Sequence, residues 1–191
     1  MENDTVKRTR VSDARTLRAL AHPARIAILG ELHSGGAGTA TGFAQLCGLS
    51  PSATSYHLRA LAKAGLVEQA PGRGDGRERL WRAVGGGGLE IATGPDADAD
   101  AQLAERELIE LLISRDEARA RAWIARWHTE TAEWYEAATI NSMSLMLTAE
   151  ELTELNEQVT ALLEPYARRT RTEPRAGARR VEVTYRSIPE G

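Results

Sequence analysis

The stretch Ser50 to Val67, SPSATSYHLRALAKAGLV, concentrates the side chains best suited to acting on another molecule. Ser52, Thr54, Ser55, Tyr56 and His57 supply hydroxyls and an imidazole, and Arg59 and Lys63 supply positive charge. Hydroxyls reach phosphates and base edges, and cations neutralise phosphates, so this set suits the major groove of duplex DNA. Enzymatic chemistry has no comparable set. The chain carries no Gly-rich phosphate loop, no HExxH, no GxSxG and no nucleophile beside a base. Gly85 to Gly88 is a homopolymer without a helix signal after it, and Glu105/Glu107 and Glu150/Glu151 read as solvated faces. The expectation is a protein that is not an enzyme and needs no cofactor.

These side chains require a helix to hold them. Ser50 suits the N-cap and Pro51 the first helical position, where its missing N–H is not needed. Leu58, Leu61 and Ala62 form an apolar back, Thr54 lies at its edge, and Gly65 stops the helix. Taken alone, this is equally a solvated amphipathic helix, so the neighbours decide. Upstream, Ser12 caps a first helix bearing Leu17, Leu20 and Ala21, which ends before Pro23, with His22 placed to cap its carbonyls. Pro23 opens a second helix with Ile26, Ile28, Leu29 and Leu32 on its stripe, and residues 34–38 form a loop. Thr41 or Gly42 starts a short third helix carrying Phe43, Ala44, Leu46 and Cys47, and Gly48-Leu49-Ser50 turns into the helix described first. Two helices joined by a tight Gly-containing turn form the helix-turn-helix arrangement. Downstream, Leu66–Ala70 and Arg79–Val84 read as strands around a glycine-rich tip bearing Arg73 and Arg77, which resembles the wing of a winged helix.

The four glycines read as a hinge, which places a domain boundary there: residues 12–84 bind DNA, 85–100 form a hinge and acidic linker, and 101–191 form a helical region. Residues 101–140 are either one helix or two, with Ser114–Glu117 as a capping box in the second case. Trp123, Trp127 and Trp134 stand at i, i+4 and i+11. With Met143 and Met146 they wall an effector pocket for an apolar or aromatic small molecule, or they are ordinary core and dimer interface. Thr148–Glu151 is a clear capping box for a further helix, which Pro165 kinks or ends. Val181, Val183 and Tyr185 alternate with polar residues as a terminal strand that needs a partner, on another sheet edge or on a second copy. The expected fold is mainly α: a winged helix-turn-helix with a two-stranded wing, then a helical C-terminal region ending in a short strand.

Charge supports this division. The net charge is −3. Residues 1–84 hold twelve Lys+Arg against seven Asp+Glu, a net of +5, and residues 85–191 hold twelve against twenty, a net of −8. Such asymmetry points to nucleic-acid contact by the basic half. The single cysteine, Cys47, excludes an intramolecular disulfide and fits a reducing cytoplasm. Residues 1–10 lack an apolar secretory core, and no apolar run approaches the roughly 18 residues of a membrane span.

LRALAHPARIAILGEL followed by FAQLCGLSPSATSYHLRALAKAGLVEQAPGRGDGRERLWRAV resembles the winged helix-turn-helix domain of the ArsR-type bacterial transcription regulators, over about residues 12–84. The resemblance rests on four features in order: the ALAHPARIAIL opening, the Leu-Ser before the recognition helix, the SYHLRALAKAGLV run and the Gly-Arg-rich wing. It implies a homodimeric repressor that reads a double-stranded operator, with Arg59, Lys63, Arg73, Arg77 and Arg79 on phosphates and Ser52, Thr54, Ser55, Tyr56 and His57 nearest the bases. Many members sense metals through a cysteine pair before the recognition helix. Here Gln45 and Cys47 occupy that region without a second cysteine; family members usually dimerise through the first helix and a helix after the wing, which the resemblance places at about Ser12–Ala21 and part of residues 101–128, and there His128 is the one histidine available, so no metal site is expected. A winged-helix module that binds another protein instead of DNA is the alternative, against which the basic helix and wing argue.

Overall fold

The computed structural model describes residues 9–71, 79–85, 89–172 and 175–190. It divides into two compact units, one through Leu112 and one from Ile113.

In the first unit, strand β1 (Thr9–Val11) leads into α1 (Ala14–Leu20) and α2 (Pro23–Gly35). Asp13, rather than Ser12, caps α1, its carboxylate accepting from the Thr16 N–H at 2.9 Å. His22 caps the start of α2 rather than the end of α1: its Nδ1 accepts from the Ala24 N–H at 3.1 Å, and Pro23 fills the first helical position. After β2 (Gly38–Thr39), α3 (Ala40–Cys47) begins ahead of Thr41 because Thr39 Oγ1 accepts from the Gly42 N–H at 3.1 Å. Left-handed Gly48 (φ 65°) turns the chain toward α4 (Pro51–Lys63), capped by Ser50 Oγ accepting from the Ala53 N–H at 3.2 Å. Gly65 (φ 73°) releases the chain from α4, a conformation that glycine adopts without steric penalty.

The wing strands β3 (Val67–Ala70) and β4 (Leu80–Ala83) pair antiparallel, with Val67 opposite Ala83 and Ala70 opposite Leu80. β2 adds to the other edge of β4, which makes a three-stranded sheet of order β2-β4-β3 where two strands were expected. Trp81 turns into the core and Leu80 stays half-buried. Gly38 lies against the buried Phe43 ring, where an added Cβ would stand 2.7 Å from Phe43 Cζ. Gly38→Ala is therefore expected to destabilise the unit by about 1–3 kcal/mol through overpacking. An unchanged urea midpoint would refute the close approach.

The sequence places a boundary at the four glycines, Gly85 to Gly88. Of these, Gly86 to Gly88 lie outside the described residues. The chain returns as β5 (Leu89–Ile91), parallel to β1 with Thr9 opposite Leu89 and Val11 opposite Ile91. It continues into α5 (Ala99–Ile124), whose Ala101, Ala104 and Leu108 are buried with Val11, Leu17, Leu20, Ile28, Leu29, Leu58 and Leu61. Of the α5 residues, Ala104 and Leu108 belong to the core cluster. Arg18 on α1 holds Asp100 at the start of α5 with both guanidinium nitrogens, one at 2.8 Å. The first compact unit thus runs through Leu112.

In the second unit α5 runs on through Ser114 without a new start. A single 3₁₀ turn (Trp127–Thr129), α6 (Ala132–Ala137) and α7 (Ala149–Thr172) follow. The capping box at α7 is reciprocal: the Thr148 N–H reaches Glu151 Oε2 at 2.7 Å and the Glu151 N–H reaches Thr148 Oγ1 at 3.2 Å. Pro165 lies inside α7 and does not end it. The expected terminal strand is not formed, since residues 178–190 belong to no sheet within the chain. Among the described residues, no helix is long and apolar enough to cross a membrane.

Candidate nucleic-acid interface

α4 has two sharply different sides. Thr54, His57, Leu58 and Leu61, spaced i, i+3, i+4 and i+7, are buried. Ser52, Tyr56, Arg59 and Lys63 are exposed, and Ser55 is half-buried beside them. Tyr56 shows 64% of its surface to solvent, which is unusual for an aromatic side chain within a well-packed unit. Arg59 is steadied by its Nε donating to the Ser55 carbonyl at 3.1 Å.

Two side chains expected at the bases point inward instead. Thr54 is fully buried, and its hydroxyl donates to the Ser50 carbonyl at 3.0 Å, which satisfies it without an outside partner. His57 is 8% exposed, with its ring 4.5 Å from that of His22 and 5.4 Å from that of Tyr56. Their positions on the helix, one turn apart on the apolar side, outweigh their polarity. Arg73 and Arg77 lie outside the described residues, and Arg79 is exposed at the foot of β4.

Burial, then the neighbouring His22 and Arg25, push the His57 pKa below the ordinary value of 6.5. The fold therefore favours neutral His57, and below pH 6.5 the unfolded chain binds the extra proton. The stability from His57 is full above that pH and is lost as pH falls toward the depressed value. Urea midpoints should therefore drop on acidification through this window, and by less in His57→Leu. Equal drops in the two proteins would remove His57 from the effect.

The outer face of α4 borders a cleft of about 390 Å³ lined by Thr39, Thr41, Ser55, Arg59, Arg79 and Trp81. It brings together the start of α3, the middle of α4 and the foot of β4. The two guanidiniums and three hydroxyls of its lining give it a donor-rich, positive surface suited to phosphate oxygens. Sequence reasoning named Ser55, Arg59 and Arg79 but missed Thr39 and Thr41. The signal for Thr39 was available, a threonine three residues before a glycine N–H at a helix start.

The aromatic set of the second unit does not share one face. Trp123 is on α5, Trp127 on the 3₁₀ turn and Trp134 on α6, because α5 ends at Ile124 and the helical spacing lapses there. Arginines cover two of them: the Arg126 guanidinium sits 5.2 Å from the Trp123 ring centre, and that of Arg179 sits 4.9 Å from Trp134. Met143 and Met146, expected as pocket walls, are 72% and 99% exposed in the chain. Among the described residues, no group of three or more His, Cys, Asp or Glu side chains is arranged to hold a metal ion.

Residues 20–70 match a family model described as a helix-turn-helix domain. No curated protein matches the chain. Among solved structures, the chain is similar to the homodimeric winged helix-turn-helix DNA-binding domain of a Mycobacterium bovis protein, described as a possible ArsR-family transcriptional regulator. The identity is 24%, covering 56% of this chain and 82% of that one, with a TM-score of 0.34. It is also similar to a MarR family regulator from Neisseria meningitidis at 17% identity, covering 76% and 75%, with a TM-score of 0.33. RV1404 from Mycobacterium tuberculosis is similar at 18% identity, covering 80% and 82%, with a TM-score of 0.33.

Proposed function

We propose that this chain is a DNA-binding transcription regulator of the ArsR type that lays α4 in the major groove and acts as a dimeric repressor. The observation that supports this reading most is the division of α4. Its apolar side is fixed in the core, while Ser52, Ser55, Tyr56, Arg59 and Lys63 are presented outward together. In this reading Ser55 and Tyr56 lie nearest the base edges, and Arg59, Lys63 and Arg79 contact phosphates on either side. Thr39 and Thr41 add hydroxyls where the cleft meets the backbone. The +5 charge of residues 1–84 draws DNA to this half, and the −8 charge of the remainder keeps it off the other. Two copies set their recognition helices about 34 Å apart, one turn of DNA, and occupancy of the operator excludes polymerase. The ArsR-type assignment rests on the four ordered motifs between residues 17 and 84.

A gel-shift titration with duplex from the protein's own upstream region tests the reading. Saturable binding that exceeds binding to an unrelated duplex is expected. No shift with any duplex, even at low salt, would overturn DNA binding and favour a protein-binding winged helix. A reporter gene behind the same region should be less active when the protein is present, and increased activity would replace repression with activation.

A further inference from the structure

Two arginines of the first unit share a cleft without an acid to hold them. Elsewhere on that unit Arg18 pairs with Asp100, and Arg82, three residues after Arg79, donates to Glu68 at 2.7 Å. Among the described residues, neither Arg59 nor Arg79 pairs with a carboxylate, and no Asp or Glu lines the cleft they share. Arg59 uses its Nε on the Ser55 carbonyl at 3.1 Å, which leaves its two terminal nitrogens for an outside acceptor. Thr39 Oγ1 accepts from the Gly42 N–H at 3.1 Å, so its hydroxyl proton remains for donation. Thr41 and Ser55 add two more hydroxyls, and Ala40 and the buried Trp81 are the apolar part of the lining. The cleft's volume of about 390 Å³ falls in the range of small-molecule sites, roughly 300–1,000 Å³.

We propose that this cleft takes a small phosphate monoester, and that this ligand competes with DNA. The donor set selects the class. A backbone phosphodiester brings a single negative charge. The cleft offers two cations and three hydroxyls, more than such a group engages. A phosphate monoester carries a charge of about −1.5 to −2 near pH 7 and three terminal oxygens. It can therefore meet both guanidiniums, in the forked pairing that arginine makes with phosphate, and still has acceptors for the hydroxyls. A carboxylate has a single charge and leaves the second arginine without a counter-charge. The organic part of the ester lies against Ala40 and Trp81. A ligand seated there covers Ser55 and Arg59 and neutralises charge that a duplex would use, so monoester and DNA exclude each other. The competition rests on the DNA-binding function proposed above, whereas occupancy of the cleft does not.

Isothermal titration calorimetry of the full chain without DNA, at constant ionic strength, tests the site with ribose 5-phosphate, inorganic phosphate and ribose. Both phosphates should bind saturably, with dissociation constants of about 1 mM or below, and ribose should not bind. Arg79→Gln should weaken both phosphates by about tenfold or more, whereas Arg82→Gln, which removes the same charge three residues along, should weaken them by less than about twofold. Both side chains are exposed, so circular dichroism should be unchanged in either variant. In a gel shift, ribose 5-phosphate should displace the duplex, and potassium chloride of equal ionic strength should not. No saturable binding of either phosphate would overturn the proposal, even if Arg79→Gln weakened DNA binding, because the cleft would then serve backbone phosphates alone. Equal losses in Arg79→Gln and Arg82→Gln would also overturn it, since they would reflect diffuse attraction and not a site. Saturable binding that leaves the duplex in place would overturn the competition. A chain that binds ribose 5-phosphate but no duplex would instead overturn the proposed function and leave the site standing.

Discussion

Replacing Leu61 with alanine is expected to destabilise the first unit by about 2–5 kcal/mol, the range for truncating a fully buried leucine. Leu61 lies on the same side of α4 as Leu58, in one cluster with Ile28 and Leu29 of α2, Phe43 of α3, and Leu66 and Val67 at the start of the wing. It therefore joins α4 to three neighbouring elements. A urea titration should show a lower midpoint at an unchanged slope. Tyr56→Ala, five residues earlier on the exposed side, should change stability by no more than about 0.5 kcal/mol. If the two variants were equally destabilised, the division of α4 into a structural and a functional side would be wrong.

The converse holds for binding. Arg59→Ala should leave the urea midpoint almost unchanged but weaken binding to every duplex, by about tenfold at moderate salt, and reduce the slope of log K against log salt by about one. Lys63→Ala should do the same one turn further along the helix. The reason is electrostatic. Each cation that neutralises a phosphate releases condensed counterions, so removing the cation removes their contribution whatever the base sequence. Tyr56→Ala should instead change the ranking of duplexes while keeping the slope. Salt slopes equal to wild type in both Arg59→Ala and Lys63→Ala would remove these residues from the DNA backbone.

Much of the helix-turn-helix was legible in the sequence because its punctuation is local. Ser50-Pro51 starts α4 and Gly65 ends it, and both signals act within one turn. The errors came where a residue's type and its position disagreed. Thr54 and His57 occupy the same side as Leu58 and Leu61, and a 3.6-residue period buries that side even when a hydroxyl or imidazole stands on it. Thr54 can be buried because its hydroxyl finds the Ser50 carbonyl. The four glycines suggested a hinge by composition alone. What keeps the chain in the first unit beyond them is the pairing of Thr9–Val11 with Leu89–Ile91, eighty residues apart, and no local pattern announces such a contact. The tryptophan stripe depended on one helix continuing past Ile124, and it dispersed when that helix ended. The alternation at Val181–Tyr185 suggested a terminal strand, which is not formed: a ladder needs a second strand, and none pairs with this segment among the described residues.

The central claim, that the outer side of α4 lies in the major groove, is tested most directly by methylation interference on a bound duplex. Guanine N7 is a major-groove acceptor, so a methyl group there blocks a helix seated in that groove, whereas methylation of adenine N3 reports on the minor groove. The expected result is two clusters of guanines whose N7 methylation abolishes binding, centred about 10 base pairs apart. Tight binding that tolerates every N7 methylation, or that is blocked only from the minor groove, would contradict the account.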